Sequence, residues 1–575
     1  MEITQIIFDP EISEKTPGSP AFVKAVIRGR QETSVEAPAA AGPRGLFEKI
    51  APALEHPFCL LTVPGTQIDS ENLRKVIREM TDRNADIAVA RVEDAQGRRS
   101  VLPRRTEELR FSSLVPPGAA VFTRQHFLRT IRNLPHRPWD EEWHFDLIRT
   151  AVMRGLVCFA DRTVATVPAD IPSPARAECL VPLTRPTDFS GRNSDPILVV
   201  YGALEASVSL YFEGLPPDLQ RQIRFLSPSD PQTDLSYLAL ASAVIIDRNF
   251  EHLVRNGLLA ILRAMEVPLF WFTDDHFGAL RSEYPAFRYY GPAAMQSFLA
   301  CVQGILVSTP HLAEIYGDQH HTVMVWPCVF DESLAAPPSP ETEPPSLRIG
   351  AFGGAFRRKS FQQEVLPAVR GLRDRSNVLL HVRSDLARGL DPAEAAPMPF
   401  DSSYRQFVFR WQRLGLHAVV HPFGATANIA CKSRGSLLTA RYLGAVPIVA
   451  AETSHADLGK EQGVWVADEN SDSWRRALEQ VRKPDERTRL FKALDLWCRD
   501  TFNPEKIRGP FSRLVAMLPP SVDPERRLSR ALLHPQWKEI LMPQGSASNG
   551  RSPSFLKKIR KWPGWKRLDF PFIRS

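Results

Sequence analysis

Two glycines and three cations stand within seven residues of this chain: Gly353, Gly354, Arg357, Arg358 and Lys359, in the stretch LRIGAFGGAFRRKS from Leu347 to Ser360. A glycine pair lets the main chain turn sharply and approach a ligand with no Cβ in the way. A helix beginning just after it presents free N–H groups and a partial positive charge, worth about 0.3–2 kcal/mol toward an anion. The chemistry implied is that of a phosphate cradle; the alternative is a strand-to-helix turn with a solvated basic end. The spacing is neither G-x-G-x-x-G nor a Walker A loop, so neither of those fingerprints applies. A second set of reactive groups closes three apolar runs upstream. Arg248 follows AVIID, Asp274, Asp275 and His276 follow PLFWFT, and Ser308 and Thr309, with His311 nearby, follow GILV. Ligands of open parallel sheets sit outside the carboxyl ends of the strands, which is where these groups fall. Capping of the next helix is the competing role for Asp275 and Thr309.

Positioning such groups requires strands alternating with helices, and the pattern supplies them. Residues 196–330 read as strands PILVVYG, AVIID, PLFWFTDD, GILVST and TVMVW, with a helix over His252 to Glu266 lined by Val254, Leu258, Ile261, Leu262 and Met265. After the proline-rich AAPPSPETEPPS, residues 347–515 repeat the alternation. Leu347, Ile349, Ala351 and Phe352 lead into the cradle, a helix carries Phe361, Val365 and Leu366, and NVLLHVRS, HAVVHPFG, CKSRGSLLTARYLG, VPIVAAE and GVWVAD follow. Continuous apolar strands between helices predict α/β domains with parallel sheets covered on both faces. Residues 1 to about 170 are also α/β: ITQIIF, PFCLLTVPG, a helix from Glu71 with Leu73, Val76, Ile77 and Met80 on one face, and ADIAVARV. They close on a stripe of Trp143, Leu147, Ile148 and Ala151 behind the acidic trio Asp140, Glu141 and Glu142.

The chain of 575 residues is too long for one core. Its 43% hydrophobic and 24% charged residues are ordinary for soluble protein, and its fifty prolines cluster near 164–196, 331–345 and 515–524 as linkers would. Seven cysteines with no C-x-x-C predict reduced thiols in a cytoplasmic protein, and no zinc spacing occurs. Neither a secretion signal nor an apolar run of about 18 residues is expected. The formal charge of +7 resides in residues 551–575, which hold eight Lys/Arg and one Asp, so a nucleic-acid-binding body is not indicated. Beyond a flexible linker at 543–554, the tail FLKKIRKWPGWKRLDFPF interleaves cations with Phe555, Trp562, Trp565, Phe570 and Phe572. Residues 555–574 therefore suit docking on an anionic membrane surface, at the inner face of the plasma membrane, with a solvated tail or nucleic-acid contact as alternatives.

The segment CKSRGSLLTARYLGAVPIVAAE resembles the donor-site segment of family 4 type GT-B glycosyltransferases, in which Lys-Ser at a helix start leads to a Gly-x-Pro turn and an apolar strand. With the glycine loop and the upstream IIDRNF, FWFTDDHF and ILVSTPHLAEIY, the similarity covers about 320 residues, 196–515, in the expected order. The resemblance implies two Rossmann-like domains facing each other, 190–335 on the acceptor side and 346–520 on the donor side. It further implies a nucleotide-sugar bound as substrate, with no metal and no other cofactor. Gly353, Gly354, Arg357, Lys359, Lys432 and Ser433 then hold the donor. Thr439 stands where the family usually places a ribose-binding Glu, and Glu452 is a substitute. Asp274, Asp275 and His276 occupy the position of a cleft-facing acid or base, Arg248, Ser308, Thr309 and His311 lie on the acceptor side, and retention is the expected stereochemistry. Residues 57–155 resemble, more weakly, the second half of a family 2 type GT-A domain. Thr62, Val63, Pro64, Gly65 and Thr66 replace its metal-binding carboxylates, so 1–180 reads as a degenerate GT-A-like domain in which Glu141 or Glu142 is the remaining candidate base. The expected function is transfer of a sugar to a saccharide or lipid-linked acceptor in surface polysaccharide biosynthesis. A nucleotide-sugar-binding scaffold and a sugar-nucleotide epimerase on the same fold are the alternatives.

Overall fold

In the computed structural model the described residues run from 3 to 530 with gaps, the longest being 14–21, 103–117, 135–142, 169–196, 227–237 and 337–345. Residues 531–575 lie outside the described residues, and with them the tail at 555–574; so do Asp140, Glu141 and Glu142. The chain forms two compact units, Met1–Thr184 and Arg185–Ser575.

The first unit is built on a mixed eight-stranded sheet. Ile3–Ser13 runs parallel to Phe58–Thr62, and Ile87–Asp94 runs parallel to Val157–Val167. Ala120–Thr123 lies antiparallel between Phe58–Thr62 and Ile87–Asp94. Successive residues of a strand point to opposite faces. Cys59 and Leu61 accordingly join a cluster with Phe47, Phe122 and Phe127, while Leu60 joins another with Val76, Ile77 and Met80. The expected helix is present as Ser70–Asp82, with Asp69 accepting from the Glu71 and Asn72 N–H groups, each at 3.0 Å.

The second unit contains two six-stranded sheets, both parallel throughout. The first has the spatial order Ile223–Leu226, Ile197–Val200, Ala243–Asp247, Leu269–Thr273, Gly304–Val307, Val323–Val325. The second runs Ala396–Met398, Val378–Arg383, Leu347–Ala351, Ala418–His421, Val446–Ala450, Trp465–Ala467. Counted within each sheet these are the orders 2-1-3-4-5-6 and 3-2-1-4-5-6, the doubly wound arrangements whose order reverses beside the first strand. This is the α/β architecture of two Rossmann-like domains that the pattern and the GT-B resemblance imply. Two edge strands, Ile223–Leu226 and Ala396–Met398, carry no long apolar run and are legible only from the sheet. The helix expected over 252–266 is described as Leu258–Ala264, its earlier residues lying outside the described set.

After Pro484–Thr501 the chain leaves the second sheet and returns to the first. Phe330 N–H donates to Phe502 O at 2.8 Å, Arg508 pairs with Asp218 at 2.7 Å, and the Phe511 ring packs on buried Trp326 at 6.1 Å between centroids.

Candidate functional site

The reversal points of both sheets open onto one cleft of about 690 Å³. From the second sheet, the strand Leu347–Ala351 delivers Phe352, Gly353 and Gly354, and a continuous helical run from Ala355 to Arg373 begins immediately after. Gly353 adopts φ +136, in the region that favours glycine, and a Cβ there would lie 2.9 Å from Arg357 Cδ. Arg357 lines the cleft over the Phe356 ring, 5.7 Å from its centroid. Its Nη1 lies 3.3 Å from His421 Nδ1, and its Nε is buried with no partner. Among the described residues no carboxylate pairs with it, and burial alone pulls its pKa down to about 10. A half-buried cation without a counter-ion is electrostatically costly until an anion arrives.

Opposite it, the first sheet presents Glu205, Arg248, Asp274 and Asp275. Arg248 sits at φ +53, a conformation a bulky residue keeps only when its surroundings impose it. Its N–H donates to Phe272 O at 2.8 Å, and its carbonyl accepts from Trp271 Nε1 at 2.7 Å. Its guanidinium then reaches Asp275 at 3.0 Å, Asp274 at 3.4 Å and Glu205 at 3.6 Å. Burial opposes the Arg248 cation, but Asp274, Asp275 and Glu205 outweigh it and hold its proton more tightly.

Asp275 is the node between the two domains. Lys432 Nζ lies 2.5 Å from its Oδ1, which also accepts from Asn428 Nδ2, while Asn428 Oδ1 accepts from the His276 N–H at 2.7 Å. Burial would raise the Asp275 pKa; Lys432 and Arg248 overcome this and lower it. Asp274 has the opposite balance. Burial dominates, Arg248 only partly offsets it, neighbouring Asp275 adds to it, and its pKa is raised.

The structure thus brings Arg248, Asp274, Asp275, Gly353, Gly354, Arg357, Lys432, Ser433 and Thr439 to one cleft. Besides the Arg248, Asp274, Asp275 and Lys432 network, two more of these are engaged by protein. Ser433 Oγ accepts from Tyr211 OH at 2.8 Å, and buried Thr439 donates to Gly435 O at 2.8 Å with Tyr404 OH 2.7 Å away. The remaining candidates lie elsewhere, which corrects their expected placement. The His276 side chain lines a separate cavity of about 1020 Å³ with Arg281 and Tyr316, because the chain turns into the helix Phe277–Leu280 and carries the ring to its other side. Thr309 caps the helix Pro310–Gly317, accepting from Leu312 N–H at 3.2 Å. His311 is exposed beside Glu314, buried Ser308 does not line the cleft, and Lys359, two residues after Arg357, is exposed and does not line it either. Glu452 also lies off the cleft, among carboxylates. Burial, a hydrogen bond with Glu469 and the nearby Glu364 raise its pKa to about 7.

Sequence reasoning passed over Tyr211, His421, Asn428 and His455. His421 had a signal, since it ends the apolar strand Ala418–His421 as Asp274 follows Leu269–Thr273. Asn428 and His455 had none, being ordinary polar residues in loops. Among the described residues, no three His, Cys, Asp or Glu side chains are grouped to hold a metal, and no helix is long and apolar enough to cross a membrane. The described cysteines are free; burial pushes the Cys59 and Cys328 thiols up to about 12.

In the second unit, fold and cleft together define a pair of doubly wound α/β domains whose crevice joins a cation with no carboxylate partner among the described residues to a carboxylate network. No known protein family matches the chain, and no curated protein sequence matches it. Among solved structures, an alpha-glucosyltransferase in complex with UDP-glucose and DNA is similar at 10% identity, over 56% of this chain and 98% of that one, with a TM-score of 0.36. Trehalose-6-phosphate from E. coli bound with UDP-2-fluoro glucose is similar at 12% identity, over 55% and 99%, with a TM-score of 0.34. A TarM variant from S. aureus, in complex with fondaparinux, alpha-GlcNAc-glycerol and UDP, gives 9% identity over 48% of this chain and a TM-score of 0.32; the match spans only 58% of that protein's length. Likenesses at this level assign no activity, and the functional reading rests on the cleft itself.

Proposed function

We propose that the cleft binds a nucleotide-sugar and passes its sugar to a saccharide or lipid-linked acceptor, as a glycosyltransferase of surface polysaccharide synthesis. The observation that carries this reading is Arg357, a half-buried cation whose Nε is shut away without a partner and which has no carboxylate partner among the described residues, placed at the reversal point of a parallel sheet and lining the cleft. A diphosphate leaving group supplies the missing anion, and main-chain N–H groups at the start of the 355–373 helical run add to its binding. The transferred sugar then lies toward the first sheet. There Asp274, ion-paired with Arg248 but with no hydrogen bond to its buried Oδ1, is the aspartate left to interact with it, because both Asp275 oxygens are engaged by Lys432, Asn428 and Arg248. Positioning and charge stabilisation are sufficient protein contributions to such a transfer, and retention of configuration is the stereochemistry we assign. No metal is invoked for the donor. Residues 1–180 are read as a non-catalytic relative of the GT-A architecture.

The test is calorimetry with UDP, GDP and their sugars, followed by a turnover screen on the same panel. Arg357→Ala is expected to weaken nucleotide binding roughly tenfold to a hundredfold and to abolish turnover while the circular dichroism spectrum is unchanged; full activity in that variant would reject the donor site. A non-catalytic nucleotide-sugar-binding protein is the rival, favoured by Lys432 being tied to Asp275 and by Thr439 having its hydroxyl committed. Nucleotide binding without turnover on any sugar of the panel would select it.

A further inference from the structure

Beside Arg357 the cleft wall holds a group that the donor-site reading leaves unused. His455, buried at 3% exposure, lines the cleft together with Ser436 from the first turn of Gly435–Tyr442. Its Nε2 lies 3.0 Å from Ser436 Oγ, and its Nδ1 is buried without a hydrogen bond of ordinary geometry, facing the Ser454 main chain. Two further buried nitrogens nearby have no partner: Arg357 Nε and Nε2 of His421, whose Nδ1 faces Arg357. Arg357 and His455 thus bring two unsatisfied nitrogens to the cleft wall, with His421 behind Arg357, and buried polar groups left unpaired in this way call for a partner such as a bound ligand.

The charged neighbours of His455 explain its state without a ligand. Burial disfavours its cation most; Arg357 and Arg434 add repulsion, and Asp457, itself paired with Arg434, offsets only part. The imidazole is held down to about 4, and His421 is lowered by burial, Arg357 and His455 in turn. An anion with two or three negative charges entering between Arg357 and His455 reverses the sign of that local field.

We propose that His455 is a diphosphate-binding residue that takes up a proton when the ligand arrives, so that the cleft converts a neutral imidazole into a second cation beside Arg357. This rests on the reading of the cleft as a diphosphate site. The proton comes from solvent, no covalent bond changes, and the charge released with the leaving group is met by imidazolium in place of a metal ion. Ser436 is then a positioning residue, fixing the ring through Nε2.

Calorimetry of the full chain with inorganic pyrophosphate, in two buffers of different ionisation enthalpy near pH 7, reads the uptake directly. Wild type is expected to take up more protons per pyrophosphate than His455→Gln. The wild-type to variant affinity ratio is expected to grow as pH falls from about 8 to about 6, by up to about tenfold per unit. Titration of pyrophosphate itself is common to both proteins and cancels in the comparison. Equal uptake and a pH-independent ratio would overturn the role of His455 and leave the diphosphate site standing, whereas no pyrophosphate or nucleotide binding at any pH would remove both. If His455→Gln does not fold, Ser436→Ala serves as the partner variant, with a reduced uptake expected and unchanged uptake overturning the proposal.

Discussion

Arg357 and Lys432 are both cations in the same cleft, yet removing them should have different consequences. Arg357 has no carboxylate partner among the described residues and is disfavoured by burial, so Arg357→Ala removes an electrostatic cost from the unliganded fold. Its unfolding midpoint is expected to stay level or rise, while nucleotide affinity drops roughly tenfold to a hundredfold, the worth of about 1.5–3 kcal/mol for hydrogen bonds from a charged group. Lys432 instead neutralises Asp275, so Lys432→Met leaves that carboxylate to Arg248 and Asn428 alone and should lower the unfolding midpoint. A denaturation curve for each variant beside its nucleotide titration checks the contrast. At this scale the sequence was half legible. Gly353, Gly354 and Arg357 announced themselves by type and spacing, because a cradle is a local device. His455 did not, because what marks it is an unpaired Nδ1 and the proximity of Arg357, about a hundred residues away in the chain.

Among the elements, the loop after Ala418–His421 sets the aim of the cradle. A Cβ at Gly424 would meet the Phe356 ring at 2.3 Å and Arg357 Cγ at 3.0 Å, so Gly424→Ala must displace the ring on which the guanidinium rests. Gly424→Ala is expected to weaken nucleotide binding several-fold with the fold preserved, and binding equal to wild type would show that Arg357 does not depend on that support. Here the pattern reads well where apolar runs are buried on both faces, as in Ala243–Asp247, Leu269–Thr273 and Val446–Ala450. It fails at the edges, where Ala396–Met398 is mostly exposed and has little β-propensity. Turn-level detail is also lost: the two-residue shift from Asp274 to His276 moves a side chain from one cavity to another.

Among the described residues, the ion pairs that join the two domains of the second unit include two groups with a buried member. One is Asp275–Lys432; the other is Arg405, buried at 2% exposure, which donates to Glu213 at 2.8 Å and pairs with Asp331. Arg405→Met strands two carboxylates and is expected to destabilise the second unit by about 3–5 kcal/mol in chemical denaturation. Acid should act through Asp274 and Asp275 with opposite signs. Asp275 is lowered, so its contribution is present above the ordinary carboxylate value of about 3.9 and is lost as pH falls through its folded value. Asp274 is raised, so protonating it on the way down relieves a burial penalty. Stability is therefore expected to hold or increase slightly from neutral to mildly acidic pH and then fall steeply below about 4, with Asp275→Asn blunting the fall. Urea unfolding across that range measures both limbs.

The amino-acid order by itself determined the alternation of strands and helices, the glycine-rich anion loop and the helix that follows it, since these depend on residues a few positions apart. Which strand ends meet was decided only by the tertiary structure. Convergence of Arg248 and Asp274 with Arg357 and His455 requires both sheets to reverse their strand order beside the first strand and both reversals to open onto one crevice. That convergence is a property of packing between elements up to two hundred residues apart, and no local periodicity encodes it.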